Sequence, residues 1–274
     1  MNVEKITLVL RRIFNINTEF ELVNTKNYQG GIILNRKQKT ASILLAMSLV
    51  VGVPFSASAK KAPAPVKVEY VALGDSLAAG LSPNGYLDYG YVDYIADSFV
   101  AKKYKLADFD NFSVPGYTSD RLLLDVTKSK KIRKEIKSAT HITIDIGAND
   151  LLAKINTDPS KASEALVAVS TNLNKILKTI DGLNPKVKVY VMGYYNCFPY
   201  YPAEQQAALM PLLTGLNTQI KSAAAENGDT FVATDKAIAK NYKKYLPNKT
   251  NIHLSDSGYK VLAAEFWKAI SKKK

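Results

Sequence analysis

The 274-residue sequence predicts an α/β fold built on one mainly parallel sheet. Short apolar runs rich in β-branched residues alternate with longer stretches whose apolar residues recur at helical spacing. Strands that alternate with helices are joined by crossovers, and this makes them parallel. Three clusters of small and polar residues, around Ser76, Gly116 and Asn149, each follow a strand, so one sheet edge collects them.

Taken in order, residues 66–73 read as the first strand and 91–104 as a helix. Residues 109–114 read as a short second strand, followed by a single helix over 119–138. The third strand, 141–146, carries Ile142, Ile144 and Ile146, and the helix over 160–180 places Ala165, Val169, Leu173, Ile176, Leu177 and Ile180 on one face. A fourth strand spans 187–192. The helix over 204–226 is expected to be disturbed at Pro211 and Gly215, a short fifth strand covers 230–233, and Ser255 caps a closing amphipathic helix over 255–271.

The first 59 residues follow a different logic. Arg36, Lys37 and Lys39 precede an uncharged apolar run over 41–55, which ends in Ser56-Ala57-Ser58-Ala59. Basic flank, apolar centre and small residues at the end are the order of a signal peptide, with cleavage expected after Ala59. The run is shorter than the roughly 20 residues that a spanning helix needs. Glu4, Glu19 and Glu21 do not suit a basic flank, so translation is expected to begin near Leu34. Residues 60–65, with Pro63 and Pro65, form a short tether, and 66–274 suit one α/β domain with a sizeable core and no internal repeat.

Charge and cysteine content narrow the function. The net charge is +13, and removing a leader with seven basic and three acidic residues leaves +9. The lysines spread over helix faces such as 128–137 and the tail 272–274, and they read either as solvated surface or as an attraction to an anionic envelope. Neither an aromatic RNA-binding motif nor a basic recognition helix is present, which argues against a nucleic-acid partner. Cys197 is the only cysteine, excluding an intramolecular disulfide and a multi-cysteine metal site.

Ser76 ends the run Val71-Ala72-Leu73-Gly74-Asp75-Ser76, where it reads equally as a nucleophile or as a helix N-cap. Acyl transfer also needs donors for the developing oxyanion and a base. The backbone N–H groups of Ser76 and Gly116 and the side-chain amide of Asn149 can supply the first. His253, in the polar loop before the last helix, can supply the second. His141 begins a strand at the opposite edge and reads as structural.

Gly74-Asp75-Ser76-Leu77, the stretch Asn111 to Gly116, Gly147-Ala148-Asn149-Asp150 and His253 before the terminal helix occur in the order of the four conserved blocks of GDSL-type SGNH hydrolases. The chain resembles that family over residues 66–274. The resemblance implies a flavodoxin-like, three-layer α/β/α fold with a five-stranded sheet. It implies serine esterase or lipase chemistry that needs no metal or cofactor, in a secreted bacterial member of the family; a monomer is expected. Ser76 would be the nucleophile and His253 the general base and acid, with Ser76, Gly116 and Asn149 forming the oxyanion hole and Gly74, Asp75 and Asp150 supporting it.

One departure bears on mechanism. The family carries an aspartate two or three residues before the histidine, where Asn251 and Thr250 stand here, and Leu254 replaces a common proline. An amide orients an imidazole but supplies no full charge. Asn251 is the expected orienter, Asp256 an alternative acid reaching back from the helix, and Asn251→Asp is expected to raise activity if the missing charge limits the rate.

Substrate choice is less determined. Tyr194, Tyr195 and Phe198 follow the fourth strand and read either as an acyl or sugar pocket or as packing over the sheet end. The favoured substrate is a lipid or other carboxylic ester. The alternatives are removal of acetyl groups from cell-envelope glycans, and a catalytically weakened envelope-binding protein.

Overall fold

The computed structural model describes residues 64–272; the expected leader, its cleavage after Ala59, the start near Leu34 and most of the tether lie outside the described residues. Five strands form the sheet: β1 (Lys67–Gly74), β2 (Lys105–Asn111), β3 (His141–Asp145), β4 (Lys188–Gly193) and β5 (Thr230–Ala233). Every pairing is parallel and the order is β2-β1-β3-β4-β5. The direction of winding therefore reverses between β1 and β3. Beyond the carboxyl ends of those two strands lies the crevice in which open α/β sheets bind ligands.

Helices cover both faces, completing the three layers. On one side α1 (Tyr91–Ala101) packs against α9 (Asp256–Ile270). On the other lie α2 (Ser119–Lys128), α3 (Lys130–Ser138), α4 (Ala148–Thr157), α5 (Ala162–Leu183) and α6 (Ala203–Glu226). Two short helices, α7 (Asp235–Ala239) and α8 (Tyr242–Tyr245), lead toward α9. The central strands are covered on both faces, which is why they read as nearly continuous apolar runs: every residue of β3 is buried, as are the last five of β4.

Several boundaries differ from those the sequence predicts, each for a local reason. β2 starts four residues earlier and ends at Asn111. It is an edge strand, largely exposed and charged, with a bulge opposite Val68 and Glu69, so no apolar run announces it. Phe112 N and Val114 N still bond to Ala72 O and Gly74 O, prolonging the contact with β1. The single helix expected over 119–138 is two, because Ser129 adopts an extended conformation and its side chain caps α3 at Ile132 N. α6 runs unbroken through Pro211. Gly215 in that helix lets α5 approach, since a Cβ there would stand 2.8 Å from Leu166 Cδ1. The unpredicted α4 begins where Gly147 takes a left-handed conformation (φ +115°), and it buries Ala148, Leu151 and Ile155.

Candidate active site

Ser76 sits in a hydrogen-bonded turn at the end of β1. Leu77 N bonds to Asp75 Oδ1, Ala79 N to Asp75 O and Leu81 N to Ser76 O, and no regular helix begins there. The hydroxyl is therefore not a helix cap. Its Oγ lies 2.9 Å from His253 Nε2. Burial holds the His253 imidazolium at a disadvantage and lowers its pKa to about 4, so the ring is neutral and able to accept a proton at neutral pH.

The other predicted blocks follow the neighbouring strands β2 and β3. Asn111 Nδ2 donates to Ala78 O at 2.8 Å, tying the second block to the nucleophile turn. Gly116 occupies a left-handed conformation (φ +82°) with open space where a Cβ would stand. Asn149 Nδ2 donates to Tyr117 O at 2.9 Å, which fixes the amide beside Gly116 while using only one of its two hydrogens. Among the described residues, neither Ser76 N–H nor Gly116 N–H donates to another backbone carbonyl. Asp150 accepts from Ser119 N (2.9 Å) and Ser119 Oγ (2.6 Å), so it joins the start of α4 to the start of α2.

Residues 72–261 match the model of the GDSL-like lipase/acylhydrolase family. The chain belongs to this family. Ester hydrolysis is the activity that membership implies. No curated protein matches the chain by sequence. Among solved structures, a lipase from a goat rumen metagenome is 21% identical, with a TM-score of 0.62 over 74% of this chain and 97% of its own. The lipase/acylhydrolase from Enterococcus faecalis is 19% identical (TM-score 0.57; 74% and 95%). An acetylxylan esterase from Geobacillus stearothermophilus is 20% identical (TM-score 0.56; 77% and 97%). At these identities the likeness is one of fold.

Around the Ser–His pair of this GDSL hydrolase, three expectations need correction. Asn251 does not orient the imidazole ring. Its Oδ1 accepts from His253 N at 3.0 Å, and its Nδ2 donates to Pro83 O at 3.0 Å, so it fixes the backbone of the histidine loop instead. Asp256 does not reach back either, because its carboxylate is held by Tyr94 Oη and by Lys260 Nζ. Among the described residues, no side chain accepts a hydrogen bond from His253 Nδ1. The third correction concerns the aromatic segment. Tyr194 and Tyr195 are fully buried and Phe198 is 5% exposed, so they do not line an open pocket.

Two of those aromatics instead support the catalytic loops from behind. Tyr194 Oη donates to Asp75 Oδ2 at 2.9 Å, beside Ser76, and Tyr195 Oη donates to Ile252 O at 2.5 Å, beside His253. Asn217 pins Tyr194 through both its backbone N–H and its carbonyl. Leu254, which stands where the family commonly carries proline, has its side chain fully buried. Tyr195→Phe removes the hydroxyl that donates to the half-buried Ile252 carbonyl. It is expected to cost about 1–2 kcal/mol of stability and to lower kcat more than it alters KM, measured by thermal unfolding and steady-state kinetics.

The remaining titratable candidates lie apart from the chemistry. His141 is buried at the amino end of β3, bonds through Nδ1 to Thr140 Oγ1 and packs its ring near Phe99 and Tyr190. Burial and the nearby Lys188 lower its pKa to about 4. Burial pushes the Cys197 thiol up to about 12, so it is no nucleophile at neutral pH. Asp108, Asp110 and Glu135 are close enough together to hold a cation, but they sit on edge strand β2 and helix α3 with Lys131 and Lys134 close by.

Proposed function

We propose that the protein is an exported carboxylic-ester hydrolase of the lipase-like kind, working through a Ser76–His253 dyad. The 2.9 Å contact between Ser76 Oγ and His253 Nε2 at the sheet switch point carries this reading. Neutral His253 takes the hydroxyl proton as Ser76 attacks the ester carbonyl. The developing oxyanion is received by Ser76 N–H, Gly116 N–H and the second amide hydrogen of Asn149. His253 returns the proton to the leaving alcohol. A water molecule, activated by the same ring, then releases the acid from the acyl-enzyme.

The apolar surface best placed for the acyl chain is the hairpin that follows the nucleophile turn. Tyr86, Leu87 and Tyr89 are 55%, 50% and 41% exposed on it. Its Pro83 carbonyl receives both Asn248 Nδ2 and Asn251 Nδ2, so the hairpin adjoins the histidine loop. An open surface of this kind covers about half of a chain. With full burial worth about 0.8 kcal/mol per methylene, kcat/KM for p-nitrophenyl esters is expected to rise about twofold per added methylene from acetate to hexanoate. Hydrolysis of acetate alone would overturn the lipase-like reading in favour of deacetylation. Hydrolysis of none would favour a binding protein.

Deacetylation of an envelope glycan is the second reading. Exposed Tyr86 and Tyr89 can face a sugar ring, the charge of +9 on the chain without its leader suits an anionic polymer, and one structural neighbour is an acetylxylan esterase.

Either ester reading predicts the same acid limb. Because His253 is lowered to about 4, its base form persists well below the usual histidine range, and kcat/KM should hold at pH 5 and fall only near pH 4. The same shift governs stability. Between about 4 and 6.5 the unfolded chain binds a proton at His253 that the folded chain releases, so this site lowers stability as pH falls through that window.

A further inference from the structure

Two aspartates face each other in the core directly beneath Ser76. Asp75 is 1% exposed and Asp145 is fully buried. Their elements are held side by side by the β1–β3 ladder, in which Gly74 pairs with Asp145. Gly74 makes the approach possible, because a Cβ there would stand 2.2 Å from Asp145 Oδ1. Leu77 N and Ala78 N, neighbours in one turn, reach Asp75 Oδ1 and Asp145 Oδ2 respectively, so the two carboxyl groups lie side by side.

The surroundings supply donors but no cation. Asp75 accepts from Leu77 N (3.0 Å) and Tyr194 Oη (2.9 Å), and Asp145 accepts from Tyr91 Oη (2.8 Å) and Ala78 N (3.3 Å). The titratable groups nearest the pair from the packed elements are Tyr70, Tyr91, Tyr194, Tyr195 and Tyr259, with Cys197, and the carboxyl of Asp150 beyond them. None carries a positive charge. Among the described residues, neither aspartate takes part in an ion pair.

Two carboxylates cannot accept from each other, and two adjacent charges in a dry core without a counter-ion cannot both persist. We propose that Asp75 and Asp145 hold one proton between them, carried by Asp145, and that Asp145 is thereby a positioning residue for the nucleophile turn. The protonated Asp145 carboxyl donates to Asp75. Ionised Asp75 then holds Leu77 N–H and the Tyr194 hydroxyl, while Asp145 takes Ala78 N–H and the Tyr91 hydroxyl. Both flanks of Ser76 are fixed to the sheet in this way. Burial raises both carboxyls, as a retained proton requires, and the shorter amide contact of Asp75 (3.0 Å, against 3.3 Å for Asp145) favours Asp75 as the ionised partner. The single retained proton also spares the oxyanion site a second negative charge below it.

The role rests on Ser76 as nucleophile, but the protonation state is measurable without it. In protein carrying ¹³C-labelled aspartate carboxyls, one signal should remain at the protonated position at about pH 8 and be missing from the Asp145→Asn spectrum. Asp229, which burial raises to about 7, should be mostly ionised by then and serves as the internal control. Absence of any protonated aspartate at that pH overturns the proposal, whatever the activity. In kinetics, Asp145→Asn still donates to Asp75 and should keep kcat/KM within about threefold, whereas Asp145→Leu leaves Asp75 unpaired and should lose about 10²-fold or more. Equal losses in the two variants, or full activity in Asp145→Leu, overturn the positioning role. Should Asp145→Leu fail to fold, the labelled spectrum and Asp145→Asn still decide. Failure of Ser76 labelling alongside a protonated Asp145 would refute the nucleophile and leave the carboxyl pair standing.

Discussion

His253→Ala is expected to lower kcat for p-nitrophenyl acetate by about 10², Ser76→Ala by the same factor, and the double variant by no more than either. The magnitude follows from what the imidazole lacks. In a complete serine-protease triad, removing the serine or the histidine costs about 2 × 10⁶ in kcat, and removing the acid alone costs about 3 × 10⁴. Here Asn251 is occupied by His253 N and Pro83 O, and Asp256 by Tyr94 and Lys260, so no acid stabilises the imidazolium. The acid's share is already absent. What remains for the Ser–His pair is the ratio of the two, about 10². Single-turnover rates on the purified variants measure it. A loss near 10⁶ would mean that an acid reaches Nδ1 during turnover.

The second large effect is a gain. Thr250 stands three residues before His253, is exposed, and bonds through both N and Oγ1 to Asn248 Oδ1. An aspartate in its place would repel that oxygen and turn away from it, with the ring as the remaining partner. Thr250→Asp is expected to raise kcat by about 10², short of the roughly 10⁴ that separates acid from amide in an evolved triad. The same carboxylate should raise the His253 pKa from about 4, moving the acid limb of the profile upward. Asn251→Asp should bring no such gain. It surrenders the donor that reaches Pro83 O and sets a carboxylate against a carbonyl, which should cost about 1–3 kcal/mol of stability. Paired pH–rate profiles of the two variants separate charge at Nδ1 from loop damage. Unchanged kcat and an unmoved acid limb in Thr250→Asp would show that charge is not what limits the rate.

Much of the frame was legible because the sheet is parallel and covered on both faces. Buried strands such as Ile142-Thr143-Ile144 must be largely apolar, and parallel strands end at the same edge, so the alternation alone sets the three blocks after β1, β2 and β3 side by side. Edge strand β2 escaped, since one exposed side leaves it free to be charged, as Lys105, Asp108 and Asp110 are. α4 escaped because a glycine with a left-handed backbone both ends the loop and starts the helix, and only the spacing of Ala148, Leu151 and Ile155 marked it. The role of Asn251 and the choice between pocket and packing for the aromatic segment lay beyond the sequence for a common reason. Sequence proximity placed them near the catalytic groups, but which atom a side chain meets is set by long-range contacts such as Asn251 to Pro83 and Tyr195 to Ile252. Asp145 carried a visible sign, an acid inside an isoleucine-rich strand, and its meaning appeared only when Gly74 brought it against Asp75.

The most direct measurement is peptide-level mass spectrometry after treatment with a fluorophosphonate, which captures a serine only when an adjacent base activates it. A single adduct on the peptide containing Ser76, strongly slowed in His253→Ala, is the expected result. An unmodified Ser76, or an adduct on another serine that persists without His253, would contradict the Ser76–His253 dyad.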